Sequence, residues 1–280
     1  MKIFVTGCNG QLGRAVNLQY KDDSNVTFVN TDVADLDITK VDDVMGAVKA
    51  EKPDVIVNCA AHTAVDACET DWDNAYRINA IGPRNLSLAA NEVNAKLVHI
   101  STDYVFDGKG TRPYTEFDKV DPQGAYGKTK LAGEEFVKAF ANRYFIIRTA
   151  WLYGDGKNFV KTMLRLSETN DAVSVVNDQV GSPTSAKELA GAIAHLIPTD
   201  NYGLFHGTCE GVCSWADFAE EIFRLRGLST KVNRITSAEF NAKAPRPAYS
   251  VLENYMLKLT TDYKFAQWED AIAEYMKELD

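Results

Sequence analysis

The sequence has few cysteines, no excess of positive charge and no long apolar run. Its five cysteines are irregularly spaced and form no CxxC pair, which argues against a disulfide framework and against a metal site. A formal charge of −9 is the wrong sign for a non-specific nucleic-acid surface, although a few local arginines can still bind an anionic small molecule. No apolar run approaches the roughly 18 residues of a membrane span, and none at the N-terminus is long enough for a signal peptide. We therefore expect a cytoplasmic protein with no nucleic-acid or membrane partner and no bound metal.

What the sequence does contain is typical of a globular protein, with 45% hydrophobic and 25% charged residues. In its first half, short β-rich runs alternate with longer segments of helical spacing. The predicted strands are residues 2–6, 26–30, 55–58, 97–100 and 144–148, and the predicted helices are residues 11–20, 41–50, 72–91 and 126–140. This alternation predicts an α/β fold with βαβ units and a parallel sheet, the Rossmann-type doubly wound arrangement.

After about residue 150 the alternation becomes less regular and the loops lengthen. Helical spacing is found at residues 159–167, 185–196, 214–224 and 265–279, and short strands are predicted at residues 173–176, 203–206 and 231–235. We expect residues 1–150 to form a dinucleotide-binding domain and residues 151–280 to form mainly a smaller α/β substrate-binding portion. The boundary is approximate, because the chain can cross back between the two portions.

A glycine-rich loop joins the first predicted strand to the first predicted helix. Gly7, Gly10 and Gly13 give it a G-x-x-G-x-x-G pattern. Gly7 permits a tight turn, Gly10 lets the backbone approach a pyrophosphate, and Gly13 lets the helix pack closely, while the helix N-terminus offers free N–H groups. The loop lacks the Lys-Ser/Thr pair of a P-loop, so it predicts a dinucleotide, NADPH or NADH. Contacts are expected from Gly7, Asn9, Gly10, Gln11, Leu12 and Gly13.

An acidic residue follows the second strand, at the place where an acid binds the adenosine ribose of NAD. This residue is Asp32, whereas Arg14 could meet the 2′-phosphate of NADP, so the choice between the two cofactors stays open. Small residues after the third strand would let a dinucleotide cross the strand ends. Further cofactor contacts are expected from Asp37, Ile38, Cys59, Ala60 and Ala61.

Two Y-x-x-x-K pairs occur in the chain, and their context separates them. Tyr153 and Lys157 enclose a glycine-rich loop, whereas Tyr126 and Lys130 open a predicted helix and lie one turn apart on one face. A lysine at that spacing favours the tyrosinate, so it is expected to lower the pKa of Tyr126 toward the operating pH. Tyr126 and Lys130 are therefore the predicted catalytic pair, and both are expected to contact the cofactor.

A hydroxyl follows the fourth predicted strand at Thr102. It could polarise a carbonyl while Tyr126 protonates it, although a threonine at a strand end is often only a cap. The chain combines the nucleotide loop, this hydroxyl and the Tyr-Lys pair that opens the next helix. Together they predict an oxidoreductase acting on a carbonyl.

The sequence resembles the extended short-chain dehydrogenase/reductase superfamily in these features. More narrowly, four segments resemble the dTDP-4-dehydrorhamnose reductase family, namely residues 58–66 (NCAAHTAVD), 101–108 (STDYVFDG), 148–154 (RTAWLYG) and 178–184 (DQVGSPT). The resemblance covers nearly the whole chain, and the second and fourth segments are much more specific than a Tyr-Lys pair. It implies reduction of dTDP-4-dehydro-6-deoxy-L-mannose to dTDP-L-rhamnose by NADPH or NADH.

The resemblance also implies roles for individual residues. Tyr126 would donate a proton, Lys130 would bind the nicotinamide ribose and tune Tyr126, and Thr102 would polarise the C4 carbonyl. Substrate contacts are implied for Val65, Asp103, Tyr104, Trp151 and Arg246. Other interpretations stay open, because Tyr104 and Trp151 could instead pack in the core and Arg246 could form a surface ion pair.

One departure from the family bears on assembly. Some members carry a glutamate just after the third glycine and use it in a metal-linked dimer, whereas Arg14 and Ala15 stand here. We therefore expect a monomer or a metal-independent dimer. Two other functions stay open: an enzyme of the same fold acting on another nucleotide sugar, as a reductase or an epimerase, and a non-catalytic regulatory subunit. The intact set of Thr102, Tyr126 and Lys130 argues against the regulatory subunit.

Overall fold

The computed structural model describes residues 1–279 and has a parallel sheet of six strands at its centre. The strands are, in chain order, β1 (Lys2–Thr6), β2 (Thr27–Thr31), β3 (Val55–Asn58), β4 (Lys96–Thr102), β5 (Tyr144–Thr149), β6 (Leu152–Tyr153), β7 (Ala172–Val176), β8 (Val180–Gly181), β9 (Thr184–Ser185), β10 (Gly203–His206), β11 (Cys213–Ser214) and β12 (Lys231–Ile235). The order across the central sheet is β10-β5-β4-β3-β1-β2, and every neighbouring pair is parallel. The predicted Rossmann-type α/β fold is confirmed.

Helices cover both faces of this sheet. They are α1 (Gln11–Gln19), α2 (Val41–Glu51), α3 (Val65–Cys68), α4 (Trp72–Tyr76), α5 (Gly82–Glu92), α6 (Ala125–Phe140), α7 (Phe159–Ser167), α8 (Ala186–Leu196), α9 (Trp215–Leu225), α10 (Ser237–Phe240), α11 (Tyr255–Thr260) and α12 (Trp268–Glu278). No helix within residues 1–279 is both long enough and apolar enough to cross a membrane.

Alternate residues of the central strands point to opposite faces, and both faces are buried. Ile3 and Val5 of β1 join one hydrophobic cluster, which includes residues of α1 and α8. Phe4 joins a second cluster on the other face, which includes residues of α2 and α5. Burial on both faces explains why the strand sequences are continuous apolar runs, without alternation of polar and apolar residues.

The predicted helix at residues 72–91 is wrong in one respect, because the helix is interrupted. A π-helical turn, Arg77–Ile81, separates α4 from α5. Pro83 stands at the start of α5 and has no N–H with which to bond the carbonyl of Asn79 four residues earlier. The Asn79 side chain fixes this π-helical turn to the neighbouring elements. It accepts from the His62 N–H (2.8 Å) and donates to the Thr129 hydroxyl (3.1 Å).

The second half of the chain contributes both to the central sheet and to a separate group of short elements. Strand β10 pairs with β5 at the edge of the central sheet, so the chain crosses back after residue 150. The other short strands pair as β7 with β12, β8 with β11 and β6 with β9. The strands predicted at residues 203–206 and 231–235 are confirmed, whereas the helix predicted from residue 265 begins only at Trp268.

Close backbone packing of α6 gives a stability prediction. A Cβ on Gly133 would lie 2.2 Å from the carbonyl oxygen of Asn79, a contact that only movement of the backbone can relieve. We expect Gly133→Ala to lower the free energy of unfolding by about 1–3 kcal/mol, the usual cost of overpacking.

The matched control is Gly46→Ala, another glycine inside a helix. A Cβ on Gly46 would meet nothing within 4 Å, so this variant should gain about 0.5–1 kcal/mol from helix propensity. Urea denaturation of both variants measures the two changes. If both variants shift in the same direction, the contact with Asn79 does not govern the packing of α6.

Candidate active site

A cavity of about 560 Å³ opens at the carboxyl ends of the parallel strands. The loops after β1 and β3, the end of β4 and the start of α6 form one wall, and residues 151–157 with the start of α9 form the other. The predicted residues that line it are Asn9, Gly10, Gln11, Leu12, Cys59, Ala60, Ala61, Val65, Thr102, Asp103, Tyr104, Tyr126, Lys130 and Trp151. The other predicted residues, Gly7, Gly13, Asp32, Asp37, Ile38 and Arg246, lie outside this lining.

The glycine loop has the geometry of an anion cradle. Gly7 adopts φ +66°, and a Cβ there would lie 2.8 Å from the backbone nitrogen of Ala60. A Cβ on Gly13 would lie 2.4 Å from the carbonyl oxygen of Gly7, so α1 can begin against the loop only because Gly13 has no side chain. Gly10 is the N-cap of α1, and no side chain caps the helix, so its first N–H groups are free to bind an anion at the cavity. These features fit a dinucleotide pyrophosphate.

The wall beside the loop is held by Asn58 at the end of β3. Its side-chain oxygen accepts from the Thr6 hydroxyl (2.7 Å) and from the Ala60 N–H (3.2 Å), and its amide nitrogen contacts His99 Nδ1 (3.0 Å). This buried network fixes the turn that carries Cys59, Ala60 and Ala61. The small side chains leave room for a ligand across the strand ends, as the sequence predicted.

The acidic residues expected near the adenosine already have partners. Asp32 accepts from the N–H groups of Asn9 (3.1 Å) and Val33 (2.8 Å). Asp37 accepts from the backbone and hydroxyl of Thr39, which lowers its pKa. Their contacts with a cofactor, like those of Ile38, stay predictions.

Arg14 bonds both to the glycine loop and to the second half of the chain. Its Nη1 lies 2.6 Å from the carboxylate of Asp155, and its Nε donates to the Asn9 carbonyl at 2.9 Å. About half of each charged side chain in the Arg14–Asp155 pair is exposed. Arg14 therefore forms an ion pair between the two halves of the chain. The choice between NADPH and NADH stays open.

Thr102, Tyr126 and Lys130 line the same cavity at the end of β4. Lys130 is buried and its ammonium donates to the Ile100 carbonyl at 2.6 Å. The Thr102 hydroxyl donates to the Asp103 carboxylate at 2.9 Å. The ring of Tyr126 meets that of Tyr104 edge to face, with centroids 5.3 Å apart. A hydroxyl, a phenol and an ammonium therefore share one wall of the cavity.

The prediction that Lys130 lowers the pKa of Tyr126 is wrong for this structure. Burial raises the pKa of Tyr126, the Asp103 carboxylate raises it further, and the Thr102 hydroxyl opposes them. The phenol is therefore protonated at neutral pH. Burial also lowers the pKa of Lys130 to about 8, because an ammonium is costly in an apolar surrounding, while the charge of Glu134 opposes that shift.

Asp103 is a further titratable group at the end of β4. Burial raises the pKa of its carboxyl to about 6, and hydrogen bonds from Ser250 and Thr102 hold it from rising further. Ser250 comes from the C-terminal part of the chain, so the second half of the protein also influences the pKa of this carboxyl.

Two tryptophans form the opposite wall of the cavity. Trp151 adopts φ +51°, an uncommon conformation for a residue with a side chain, and its ring stacks on that of Trp215 at 3.7 Å between centroids. A Cβ on Gly181 would lie 2.6 Å from the Trp151 ring. The sequence does not predict Trp215 as a site residue, because it lies far from Trp151 along the chain. Only the tertiary fold stacks the two rings.

Arg246 lies at a neighbouring cavity of about 370 Å³, which shares Tyr104 with the first. Its Nη2 lies 3.0 Å from the Asp66 carboxylate, so the ion pair considered from the sequence is present. Its buried Nε has no hydrogen-bond partner within residues 1–279. Val65, next to Asp66, lines the larger cavity.

The second Y-x-x-x-K pair does not form a comparable site. Tyr153 is buried in the main hydrophobic cluster and packs against the rings of Phe218 and Tyr275. Burial raises its pKa. Lys157, by contrast, lies at the cavity mouth. Within residues 1–279, no group of three or more His, Cys, Asp or Glu side chains could hold a metal ion.

Comparison with known proteins supports this architecture. The family described as RmlD substrate binding domain matches residues 1–280. The chain is 42% identical over 278 residues to the spore coat polysaccharide biosynthesis protein SpsK of Bacillus subtilis, covering 99% of this chain and 97% of that protein.

Solved structures are similar over the same length. A dTDP-4-dehydrorhamnose reductase from Clostridium acetobutylicum is 57% identical, with a TM-score of 0.97, over 100% of this chain and 99% of that one. A dTDP-4-dehydrorhamnose reductase from Bacillus anthracis, in complex with NADP, is 42% identical, with a TM-score of 0.95, over 99% of each chain. Since the family match and both structures span this chain almost end to end, the chain belongs to the RmlD substrate binding domain family, that of the dTDP-4-dehydrorhamnose reductases.

Proposed function

We propose that the protein reduces the C4 ketone of dTDP-4-dehydro-6-deoxy-L-mannose (dTDP-4-dehydrorhamnose) to dTDP-L-rhamnose, using NADPH or NADH. The observation that carries this proposal is that Thr102, Tyr126 and Lys130 line one cavity together with the glycine loop. A module that only binds a nucleotide has no need of a phenol, an ammonium and a hydroxyl at one strand end. Relatives named dTDP-4-dehydrorhamnose reductase, one of them in complex with NADP, support the same reaction.

The nicotinamide cofactor supplies the hydride when bound. Gly10 and the free N–H groups at the start of α1 would hold its pyrophosphate, since no Cβ fills the space above the loop. Ala60 and Ala61 would face the dinucleotide where it crosses the strand ends. Lys130 lines the same cavity and would bind the nicotinamide ribose.

Reduction of a ketone adds a hydride to the carbon and a proton to the oxygen, so this chain must supply the proton. Tyr126 would donate it to O4, because burial keeps its phenol protonated at neutral pH. The Lys130 ammonium would stabilise the tyrosinate that the transfer leaves behind. The Thr102 hydroxyl would polarise the carbonyl, and the proton returns to Tyr126 from solvent.

The rest of the substrate would be held by both halves of the chain. Asp103 and Tyr104 at the end of β4 would face the sugar from one side, and the Trp151 ring, supported by Trp215, would face it from the other. Val65 would line the route toward the nucleotide. Arg246 would bind the diphosphate, because the glycine loop is committed to the cofactor and the buried Nε of Arg246 has a free donor.

These roles divide the chain between two tasks. We propose that residues 1–150 bind the cofactor and that residues 151–280 mainly bind the substrate, although β10 belongs to the central sheet. A cytoplasmic location is proposed as well, because the charged nucleotide substrates do not cross a membrane unaided.

The first test of the mechanism compares two tyrosines. Tyr126→Phe should lower the rate of reduction by about 10²–10⁴-fold, the usual contribution of a proton donor, and leave cofactor binding nearly unchanged. Tyr153→Phe removes a hydroxyl that has no hydrogen-bond partner within residues 1–279, so its effect should be small. The measurement is the loss of NADPH absorbance with dTDP-4-dehydrorhamnose as substrate. Equal losses in the two variants would contradict the assignment of Tyr126.

The second test concerns the diphosphate. Arg246→Ala should weaken dTDP binding by about 1.5–3 kcal/mol, the worth of a hydrogen bond to a charged group, while the Kd for the cofactor stays unchanged. Asp66→Asn is the matched control, since it removes the ion-pair partner and leaves the guanidinium in place. Calorimetric titration with dTDP and separately with NADPH measures both affinities. Unchanged dTDP affinity in Arg246→Ala would show that Arg246 does not bind the diphosphate and serves only in its ion pair with Asp66.

The third test concerns assembly. Because Arg14 and Ala15 stand where some relatives carry a metal-binding glutamate, we propose a monomer or a dimer that a chelator does not dissociate. Analytical ultracentrifugation with and without EDTA should give the same sedimentation coefficient. A shift from dimer to monomer on adding EDTA would show that a metal links the subunits.

A further inference from the structure

A buried ion pair lies directly behind the wall that carries Tyr126 and Lys130. Glu134 of α6 and Arg148 of β5 have 0% and 2% of their side chains exposed. Arg148 donates from Nε and Nη2 to the two oxygens of Glu134 at 2.8 and 2.7 Å. This fork-to-fork geometry is the strong form of a charged hydrogen bond. Neither residue lines the cavity.

The same carboxylate ties the helix to a second strand. The Ser101 hydroxyl of β4 donates to Glu134 Oε1 at 2.5 Å. Ser101 and Arg148 are directly opposite each other in the pairing of β4 with β5. Glu134 therefore accepts from two neighbouring strands at once, at the level just below Thr102, and the ammonium of Lys138, one turn further along α6, lies 3.7 Å from its Oε2.

Lys130 stands one helical turn before Glu134, and it too forms a hydrogen bond with β4. Its ammonium donates to the carbonyl of Ile100, the residue that precedes Ser101 in β4. Two successive turns of α6 thus bind two successive residues of the strand that ends in Thr102. These two bonds fix the position of α6 along the axis of β4.

Burial disfavours the charged form of Lys130 and so lowers its pKa. The charges of the groups around it therefore decide whether Lys130 stays protonated. On α6 these are Tyr126 and Glu134, and from the neighbouring strands they are His99 of β4 and Cys59 after β3. Burial keeps His99 neutral by lowering its pKa, and burial raises the pKa of the Cys59 thiol to about 12. The phenol of Tyr126 is protonated as well. Among these four groups, Glu134 supplies the negative charge.

Stability alone is a poor explanation for such a pair. Replacing a buried ion pair by apolar residues of similar volume is often neutral or stabilising, because desolvation offsets the attraction. Arg148 also has a buried Nη1 without a hydrogen-bond partner within residues 1–279, although its guanidinium lies 5.1 Å from the centre of the Phe106 ring. The pair is therefore better explained by its effect on the neighbouring lysine.

We propose that Glu134 is a positioning residue that acts through Lys130, with its carboxylate keeping the neighbouring ammonium charged while Ser101 and Arg148 hold that carboxylate in place. The inference rests on the proposed reductase function, in which the ammonium binds the cofactor ribose and stabilises the tyrosinate. It concerns a residue that does not line the cavity.

The test removes the charge and follows the titration of Lys130. Glu134→Gln keeps the size of the side chain, loses its negative charge and leaves Arg148 uncompensated. The pKa of Lys130 should then fall from about 8 by about 1–2 pH units, the usual effect of losing a nearby opposite charge. Glu135→Gln is the matched control, since it makes the same chemical change one residue along on an exposed side chain. It should leave the titration unchanged.

Two readouts separate this proposal from the proposed function. Lys130 can be titrated by NMR in protein labelled with ¹⁵N-lysine, with its signal assigned from Lys130→Met, and this needs no substrate. The alkaline limb of the pH–rate profile should move to lower pH in Glu134→Gln by the same amount as the NMR titration. If the wild-type protein does not turn over dTDP-4-dehydrorhamnose, the reductase assignment fails, while the NMR titration still decides the role of Glu134.

A double variant tests the same proposal if Glu134→Gln alone does not fold. Glu134→Gln combined with Arg148→Met replaces the pair by uncharged groups, so Arg148 is not left as a buried charge without its partner. Its Lys130 titration should also move to lower pH, by less than in the single variant, because the positive charge of Arg148 is gone as well. A folded single or double variant in which Lys130 titrates as in the wild type would overturn the proposal, and Glu134 would then serve only to dock α6.

Discussion

The close approach of helix α6 to strand β4 and to the π-helical turn is the contact on which the active site depends. A Cβ on Gly127 would lie 2.1 Å from the Tyr104 carbonyl oxygen, and one on Gly133 would lie 2.2 Å from that of Asn79. The helix can therefore pack on backbone at both places only because these residues have no side chain. At this short distance Lys130 reaches the Ile100 carbonyl, and Tyr126 reaches the end of the strand where Thr102 stands.

Burial then sets the chemistry of these groups. It raises the pKa of Tyr126 and lowers that of Lys130 to about 8, so the phenol holds its proton and the ammonium is close to losing one. Both shifts follow from the cost of placing a charge in an apolar surrounding. A protonated phenol suits a proton donor, and a charged group nearby must keep the ammonium in its active form. The carboxylate of Glu134, held by two strands, meets that need.

The two halves of the chain meet around the cavity. The first half supplies the glycine loop and the Tyr-Lys pair, and the second half supplies Trp215 and the segment of Arg246. Contacts between the halves are specific: Arg246 pairs with Asp66, Arg14 pairs with Asp155, and β10 extends the central sheet beside β5. Any ligand that fills both cavities would touch both halves.

The sequence by itself determined the α/β class, the positions of the central strands to within one or two residues and the cluster of Thr102, Tyr126 and Lys130. These features are local: apolar runs, glycine spacing and a helical i, i+4 pair depend on residues close together in the chain. Only the tertiary structure decided the rest. The π-helical turn depends on Asn79 and Pro83 together with the packing of α6, the stacking of Trp215 on Trp151 joins distant segments, and the raised pKa of Tyr126 comes from burial. Burial and long-range contact arise from the folded chain as a whole, and no short segment of sequence encodes them.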